Sequence, residues 1–290
     1  MLSRLLQDPP PAMAFEITEA GIAAARIGSR TDLEFHPLKS GVISVSPVKE
    51  NILDHDEFIL AVRALVPAQK RKDVALIIPD YCARMTVVDF DNFPSDPKEQ
   101  ASLIRFRVKR SVPFDVETAA LSYFPQPAVN KRVDVVVAVA PLEIVARYES
   151  PFRAAGMYPG LVTTSGLATL DLAPEAGLSV IAKLTGRILT VLVRERAVVK
   201  MVRCLELPSP SLDDIASVLV PTFVYVEDNL GGSVEHLLLC GFGPQLEESA
   251  RQRFSGELRV AVDPLRSPLA MPGENNAGLL GYLRSIARNN

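Results

Sequence analysis

Cys240-Gly241-Phe242-Gly243 is the stretch whose residue types come nearest to a ligand-binding motif. It follows a strand-like apolar run at 236–240, precedes a helical pattern starting at Leu246, and is followed by Asp263 at the end of the next strand pattern. That order mimics a dinucleotide fingerprint, in which glycines admit a pyrophosphate and an acid binds ribose. The third glycine position is Leu246, however, and plain strand-to-helix packing also explains two glycines. Three cysteines, Cys82, Cys204 and Cys240, form no CxxC pair, and three histidines, His36, His55 and His236, lack ligand spacing. Zinc and redox chemistry are therefore not expected, and Cys82 and Cys240 read as small buried hydrophobes in a reducing compartment. Lys98, Arg105, Arg107, Lys109 and Arg110 make one basic stretch, which reads as a solvated helix face in the absence of an aromatic stripe. GxSxG, HExxH and Walker A sequences are absent, which removes the usual support for hydrolase and P-loop chemistry.

These residues sit on a regular succession of elements. Strands are predicted over 14–18, 21–27 and 41–47, and a helix over 56–66, where Phe58, Ile59, Val62, Leu65 and Val66 share a face. Strands follow at 74–78 and 85–90. Asp96, Pro97 and Glu99 then form an N-cap signature for a helix that ends before Val112-Pro113-Phe114. Strands at 123–125 and 133–139 lead to a helix from Pro141 toward Gly156, which Pro151 is expected to kink or split. The second half opens near Leu161 with three strands, 179–184, 188–194 and 198–205. A helix over 212–229 interrupted at Pro221 comes next, then a strand at 236–240, a helix over 246–254, a strand at 257–262 and a last helix over 277–287. Leu279, Leu280, Leu283 and Ile286 on that last helix read as core rather than as a lipid-binding face. Strand meanders leading into helices in both halves predict a two-lobed α/β fold with an internal duplication.

Composition fits this outline. The chain has 290 residues, of which 48% are hydrophobic and 22% charged, so it can build two cores without disulfide or metal staples. Its net charge of −3 gives no pull toward nucleic acid or anionic lipid. The opening MLSRLLQDPPPAM lacks a signal-peptide apolar region, and no run is long enough to span a membrane.

Taken in order, the segments resemble the PilM family of type IV pilus assembly proteins, relatives of the division protein FtsA and of the cytoplasmic domain of GspL. The resemblance rests on Ala14–Thr18, on Asn51–Asp54, on the strands ending in Asp89–Pro94, and on the helix leading into Val112-Pro113-Phe114. It rests also on Val133–Val139 with the helix to Met157, and on Leu239–Gly243 with the closing Gly278–Arg284. It implies an actin-like, ribonuclease H-like two-lobed fold with a small α/β insert in the first lobe. Residues 1–12 would be an unstructured lead and 13–160 the first lobe, with the insert at about 86–157. The second lobe, 161–290, would be reduced, since Leu207 runs within a few residues into the next helix, where relatives insert a subdomain with adenosine contacts.

The resemblance also implies a phosphate clasp of two hairpins reading Asp-Ile-Gly or similar, with aspartates that hold Mg²⁺ through water. Here the first hairpin reads Glu16-Ile17-Thr18 and the second Lys183-Leu184-Thr185, so the first acid is longer, its glycine is lost, and a cation replaces the second acid. Together with Gly241 and Gly243, these residues form a degenerate nucleotide site, with Lys183 expected beside Glu16 across the interlobe cleft. The implied protein is a pseudo-ATPase scaffold with no cofactor, cytoplasmic, and held at the inner membrane through a partner in a pilus assembly platform. That partner is the cytoplasmic tail of a single-span, PilN-like membrane protein, docked between insert and first lobe. Phe106, Arg107, Arg110, Pro113, Phe114 and Tyr123 are the expected contacts, drawn from the basic helix, the apolar turn and an edge strand. The alternative is an actin-like ATPase that binds Mg-ATP, with Lys183 pairing a phosphate.

Overall fold

Two five-stranded sheets carry the same strand order. In the first, β1 (Met13–Ile17), β2 (Gly21–Arg26) and β3 (Asp32–Pro37) form an antiparallel meander, and β4 (Lys72–Ile78) and β8 (Met157–Thr164) add in parallel, giving β3-β2-β1-β4-β8. In the second, β9 (Leu178–Thr185), β10 (Ile188–Glu195) and β11 (Val198–Glu206) repeat the meander, and β12 (His236–Cys240) and β13 (Ala261–Pro264) add in parallel, giving β11-β10-β9-β12-β13. The duplication expected from the sequence is thus a duplication of topology. The structure, a computed structural model, describes residues 10–28, 31–66, 72–127, 132–175 and 177–289. Most of the lead expected at 1–12 lies outside the described residues.

Period-two alternation sets what each sheet faces. Phe15, Ile17, Leu76 and Ile78 point outward, onto α1 (His55–Leu65) and α3 (Leu142–Ala154). Ala14, Ala23, Ala25 and Ala75 point inward, and their small size lets α7 (Ala277–Asn289) approach. Leu279, Leu280 and Leu283 of α7 are buried in a cluster that also takes Ile181, Leu192 and Leu238 from the second sheet. The outer face of the second sheet packs on α5 (Leu212–Leu230) and α6 (Pro244–Glu257). Residues 207–211 lead directly from β11 to α5. Helix α4 (Ser165–Thr169) crosses α7 at Gly281, where any side chain would collide with the Ala168 carbonyl.

A third sheet, β5-β7-β6, is built from β5 (Arg84–Phe90), β6 (Ala120–Pro125) and β7 (Val133–Ala140), with α2 (Pro97–Val108) on one face. Asp96 caps α2 by accepting from the Lys98 and Glu99 N–H groups at 2.9 and 3.0 Å, as its capping signature predicts. This subdomain has its own core around Ile104, Val108, Val135 and Val137.

Several expectations need correction. No strand forms at 41–47, which holds one bridge, Ile43 to Ile52. The third strand is instead β3, DLEFHP, whose short alternation brings only Leu33 and Phe35 to one face, both of them exposed. Strand β8 was not predicted, because Pro159 and Gly160 interrupt its pattern; the β4–β8 register shifts there, and an edge position tolerates the proline. Helix α6 runs on to Glu257, and its strand starts only at Ala261. Helices α3 and α5 pass through Pro151 and Pro221 without a break. Ile144, Tyr148 and Phe152 pack α3 onto the first sheet rather than into the insert, so the insert's own sheet and core run over 84–140.

Candidate functional site

The central strands β1 and β9 bring Glu16 and Lys183 to the inner faces of their sheets. Glu16 is fully buried and Lys183 is 2% exposed. Glu16 accepts from the Ser165 hydroxyl through Oε1 and from the Leu279 N–H at 2.7 Å through Oε2. Leu279 lies in the first turn of α7, where backbone donors have no partner within the helix, so the carboxylate anchors that terminus. Lys183 finds its direct partner in Asp80, which follows β4 and Pro79 in a 3-10 turn, Asp80–Cys82. Lys183 Nζ lies 3.4 Å from Asp80 Oδ2 and 2.9 Å from Thr185 Oγ1. The same Asp80 accepts from the Thr190 hydroxyl at 2.8 Å and from the Gly166 N–H at the start of α4. Thr190 is the cross-strand neighbour of Lys183, so one carboxylate of the first lobe is gripped by two strands of the second.

Burial pushes the Glu16 carboxyl above its ordinary range, against the opposing pull of the Lys183 ammonium, the Ser165 hydroxyl and the Leu279 N–H. Burial draws Lys183 downward, but Asp80 and Glu16 outweigh it and hold the ammonium above its ordinary value. Burial likewise pushes the Cys240 thiol up to about 12, in keeping with an unreactive cysteine.

A cavity of about 620 Å³ opens in front of this network. Thr18, Lys183 and Thr185 line it, with Asp80, Ser165, Arg187 and Asn275. Glu16, Gly241 and Gly243 do not reach its lining. Thr18 closes the β1–β2 turn, with Oγ1 2.8 Å from Asn275 Oδ1 and 3.1 Å from the Gly21 carbonyl oxygen. Gly241 adopts φ +77°, and a side chain there would strike the Leu184 carbonyl, so this glycine serves close packing of β9 on the loop. The two buried carboxylates direct their oxygens to helix termini, hydroxyls and a lysine of the chain itself. This donor set does not suit a hydrated Mg²⁺.

A second concavity, about 680 Å³, lies between the insert and the first lobe. Pro113 and Phe114 line it, opposite Val48, Leu142 and Ala146. Val48 and Leu142 are 49% and 59% exposed. The Val48 wall is set by buried Asn51, whose Nδ2 donates to the Ser46 and Lys49 carbonyls at 2.8 Å while Oδ1 accepts from the Ser46 N–H and the Tyr148 hydroxyl. Phe106, Arg107, Arg110 and Tyr123 are not brought to this groove. The Tyr123 hydroxyl is turned to α2, 3.1 Å from Gln100 Oε1, and Phe106 stands 78% exposed on the outer side of that helix.

Sequence reasoning missed Asp80, Ser165, Thr190 and Gln126. Gln126 is buried and exchanges two hydrogen bonds with the backbone of Val199, at 2.7 and 2.8 Å, tying the insert to β11. The usable signal for Asp80 was an acid directly after the apolar β4 run, where parallel strands deliver functional groups. Gln126 carried no signal, since a lone glutamine after a strand is commonplace.

No protein-family model matches the chain, and no curated protein matches it. Solved structures do. The fold is that of the actin-like ATPases. A structure described as a PilM–PilN type IV pilus biogenesis complex aligns at TM-score 0.71 and 18% identity, over 96% of this chain and 99% of that one. A Bacteroides thetaiotaomicron protein with an actin-like ATPase fold and unknown function aligns at 0.57 and 12% identity, over 94% and 95% of the two chains. The cytoplasmic domain of EpsL, an inner-membrane component of the Vibrio cholerae type II secretion system, aligns at 0.52 and 12%, over 96% and 94%. Among the described residues no helix is long and apolar enough to cross a membrane.

Proposed function

We propose that this chain is a non-catalytic scaffold of a type IV pilus assembly platform, binding the cytoplasmic N-terminal tail of a single-span, PilN-like membrane protein. The observation that carries the reading is the Asp80–Lys183–Thr190 bridge. It joins the lobes with the protein's own charges, so cleft closure needs neither phosphate nor metal. Phosphoryl transfer depends on positioning and metal electrostatics, and neither Glu16 nor Asp80 is left to supply them. The exposed apolar walls of the insert groove support a peptide site. Likeness to a PilM–PilN complex supports the kind of partner, a cytoplasmic location and peripheral attachment to the inner membrane through that partner. Other proteins of the platform would then meet the remaining surface.

The second reading is an actin-like ATPase, favoured by the open cavity in which Thr185 and Arg187 stand beside Lys183. Melting curves with and without Mg-ATP separate the two. Ligand at 100 times its dissociation constant stabilises by about 2.7 kcal/mol. The scaffold reading expects no Mg-dependent rise at millimolar nucleotide. A clear rise that the exposed-site variant Arg187→Ala abolishes would overturn the empty-cleft scaffold in favour of a nucleotide-binding protein, whose hydrolysis a phosphate-release assay would then read.

A further inference from the structure

Because the two sheets share one strand order, β3 and β11 occupy equivalent edges, and their treatment differs. Edge β11 lies against β5 of the insert, and Gln126 plugs it by bonding both the N–H and the carbonyl of Val199. Edge β3 pairs with β2 alone among the described residues. The Leu38 N–H donates to the Ala20 carbonyl at 2.9 Å, which sets the phase of the β2–β3 ladder. Asp32, Glu34 and His36 therefore turn their backbone groups to β2, while Leu33, Phe35 and Pro37 turn theirs outward. Leu33 and Phe35 are 43% and 46% exposed, on the face of Ala23 and Ala25. Beside them a cavity of about 300 Å³ opens toward Leu279 and the loop 273–276. Glu34 and His36 stand on the opposite face and enter no ion pair among the described residues. An open edge that carries apolar side chains invites another strand.

We propose that β3 pairs with β3 of a second copy of this chain, antiparallel, about a two-fold axis at Phe35. In this register Phe35 opposes Phe35 of the second copy, Leu33 opposes its Pro37, and Glu34 opposes its His36. The outward N–H of each Phe35 donates to the carbonyl of the other, and each Leu33 N–H donates to the opposite Pro37 carbonyl. Pro37 has no N–H to give, so only the Leu33 carbonyl goes without a strand partner, and it stays in water. Glu34 and His36 form the closely spaced pairs, about 4.5 Å between Cα atoms, so each carboxylate accepts from an imidazole N–H. The neighbouring register, centred on Glu34, sets two carboxylates against each other, so charge selects the first. On the other face the two Phe35 rings meet beside the cavity, whose apolar wall they can cover. Because the contact joins identical patches, it closes at a dimer. One strand pair is small beside a standard interface, so the dimer forms at high local concentration. The inference rests on this edge and is independent of what the groove or the cleft binds.

Sedimentation velocity on the full chain, over a wide concentration range, tests it. Wild type is expected to pass from monomer to dimer with no larger species. Amide hydrogen exchange at Leu33 and Phe35 should slow as the dimer forms. Phe35→Asp alters an exposed side chain, and Leu33→Pro removes an outward donor while leaving the β2 ladder intact. Each should weaken dimerisation at least about tenfold, with circular dichroism showing that both fold. His36→Glu should weaken it as well, and adding Glu34→Lys in the same chain should restore it, since opposed charges then return with their signs exchanged. A wild type that stays monomeric at every concentration would overturn the proposal and leave the edge to a strand of another protein. So would larger assemblies, or a folded Phe35→Asp that dimerises like wild type. A double variant that dimerises no better than His36→Glu would overturn the register.

Discussion

The interlobe cleft and the insert groove are concavities of similar size with opposite internal states. In the cleft the buried charges are answered inside the chain: Glu16 anchors α7, Asp80 anchors α4, and Lys183 compensates both. In the groove, apolar side chains such as Val48 and Leu142 stay in water. A site that satisfies its own polar groups gains little from a ligand, whereas one that leaves apolar surface wet gains about 25 cal/mol for each Å² a ligand covers. The contrast teaches that one chain can close a buried polar cleft on itself while leaving an apolar groove open to water.

Breaking the cleft should have the largest effect. Lys183→Ala removes the ammonium that faces two buried carboxylates, and stripping one partner from a buried pair costs about 3–5 kcal/mol. A drop of that order in denaturant-derived stability is expected, and Lys183→Met combined with Asp80→Asn should recover a substantial part of it. Stability unchanged in Lys183→Ala would mean that the cleft is wet and the two regions do not differ as described.

A smaller change sharpens the electrostatics. The folded Glu16 carboxyl holds its proton more readily than the unfolded one, whose ordinary value is 4.5. Between those two values the folded state binds more protons, so stability rises as pH falls. Wild type should therefore gain on Glu16→Gln as pH is lowered toward 4.5, and the gap in melting temperature should level off below it. A gap that widens with rising pH would show that Glu16 is stabilised as a carboxylate by its neighbours and not penalised by burial.

The smallest stability effect is expected in the groove. Leu142→Glu alters an exposed side chain and should stay within about 0.5 kcal/mol of wild type. The same variant should weaken binding of a synthetic tail peptide of the partner at least about tenfold, read by fluorescence anisotropy. Equal binding by the folded variant would move the peptide site away from the groove and erase the comparison.

Much of the architecture was legible because it follows from periodicity and caps. The Asp96-Pro97-Glu99 start of α2 is written in neighbouring residues, as are the Phe58-Val62-Leu65 face of α1 and the three-strand meander at 178–206. Strand β3 alternates over only six residues and leaves Leu33 and Phe35 exposed, so its signal is short and marks no core face, and β8 was hidden by Pro159 and Gly160. Of the residues around the cleft, Glu16, Thr18, Lys183 and Thr185 were singled out through the family resemblance of the hairpins that carry them. Their partners were not, since Asp80 is 103 residues from Lys183 and Ser165 is 149 from Glu16. The sequence by itself determined that an acid, Glu16, sits in the first hairpin and a lysine, Lys183, in the second. Only the tertiary structure decided that this lysine answers Asp80 and that Phe106 faces solvent. Which charges meet, and which side chains stay wet, depends on how sheets and helices stack, and local residue patterns do not encode that.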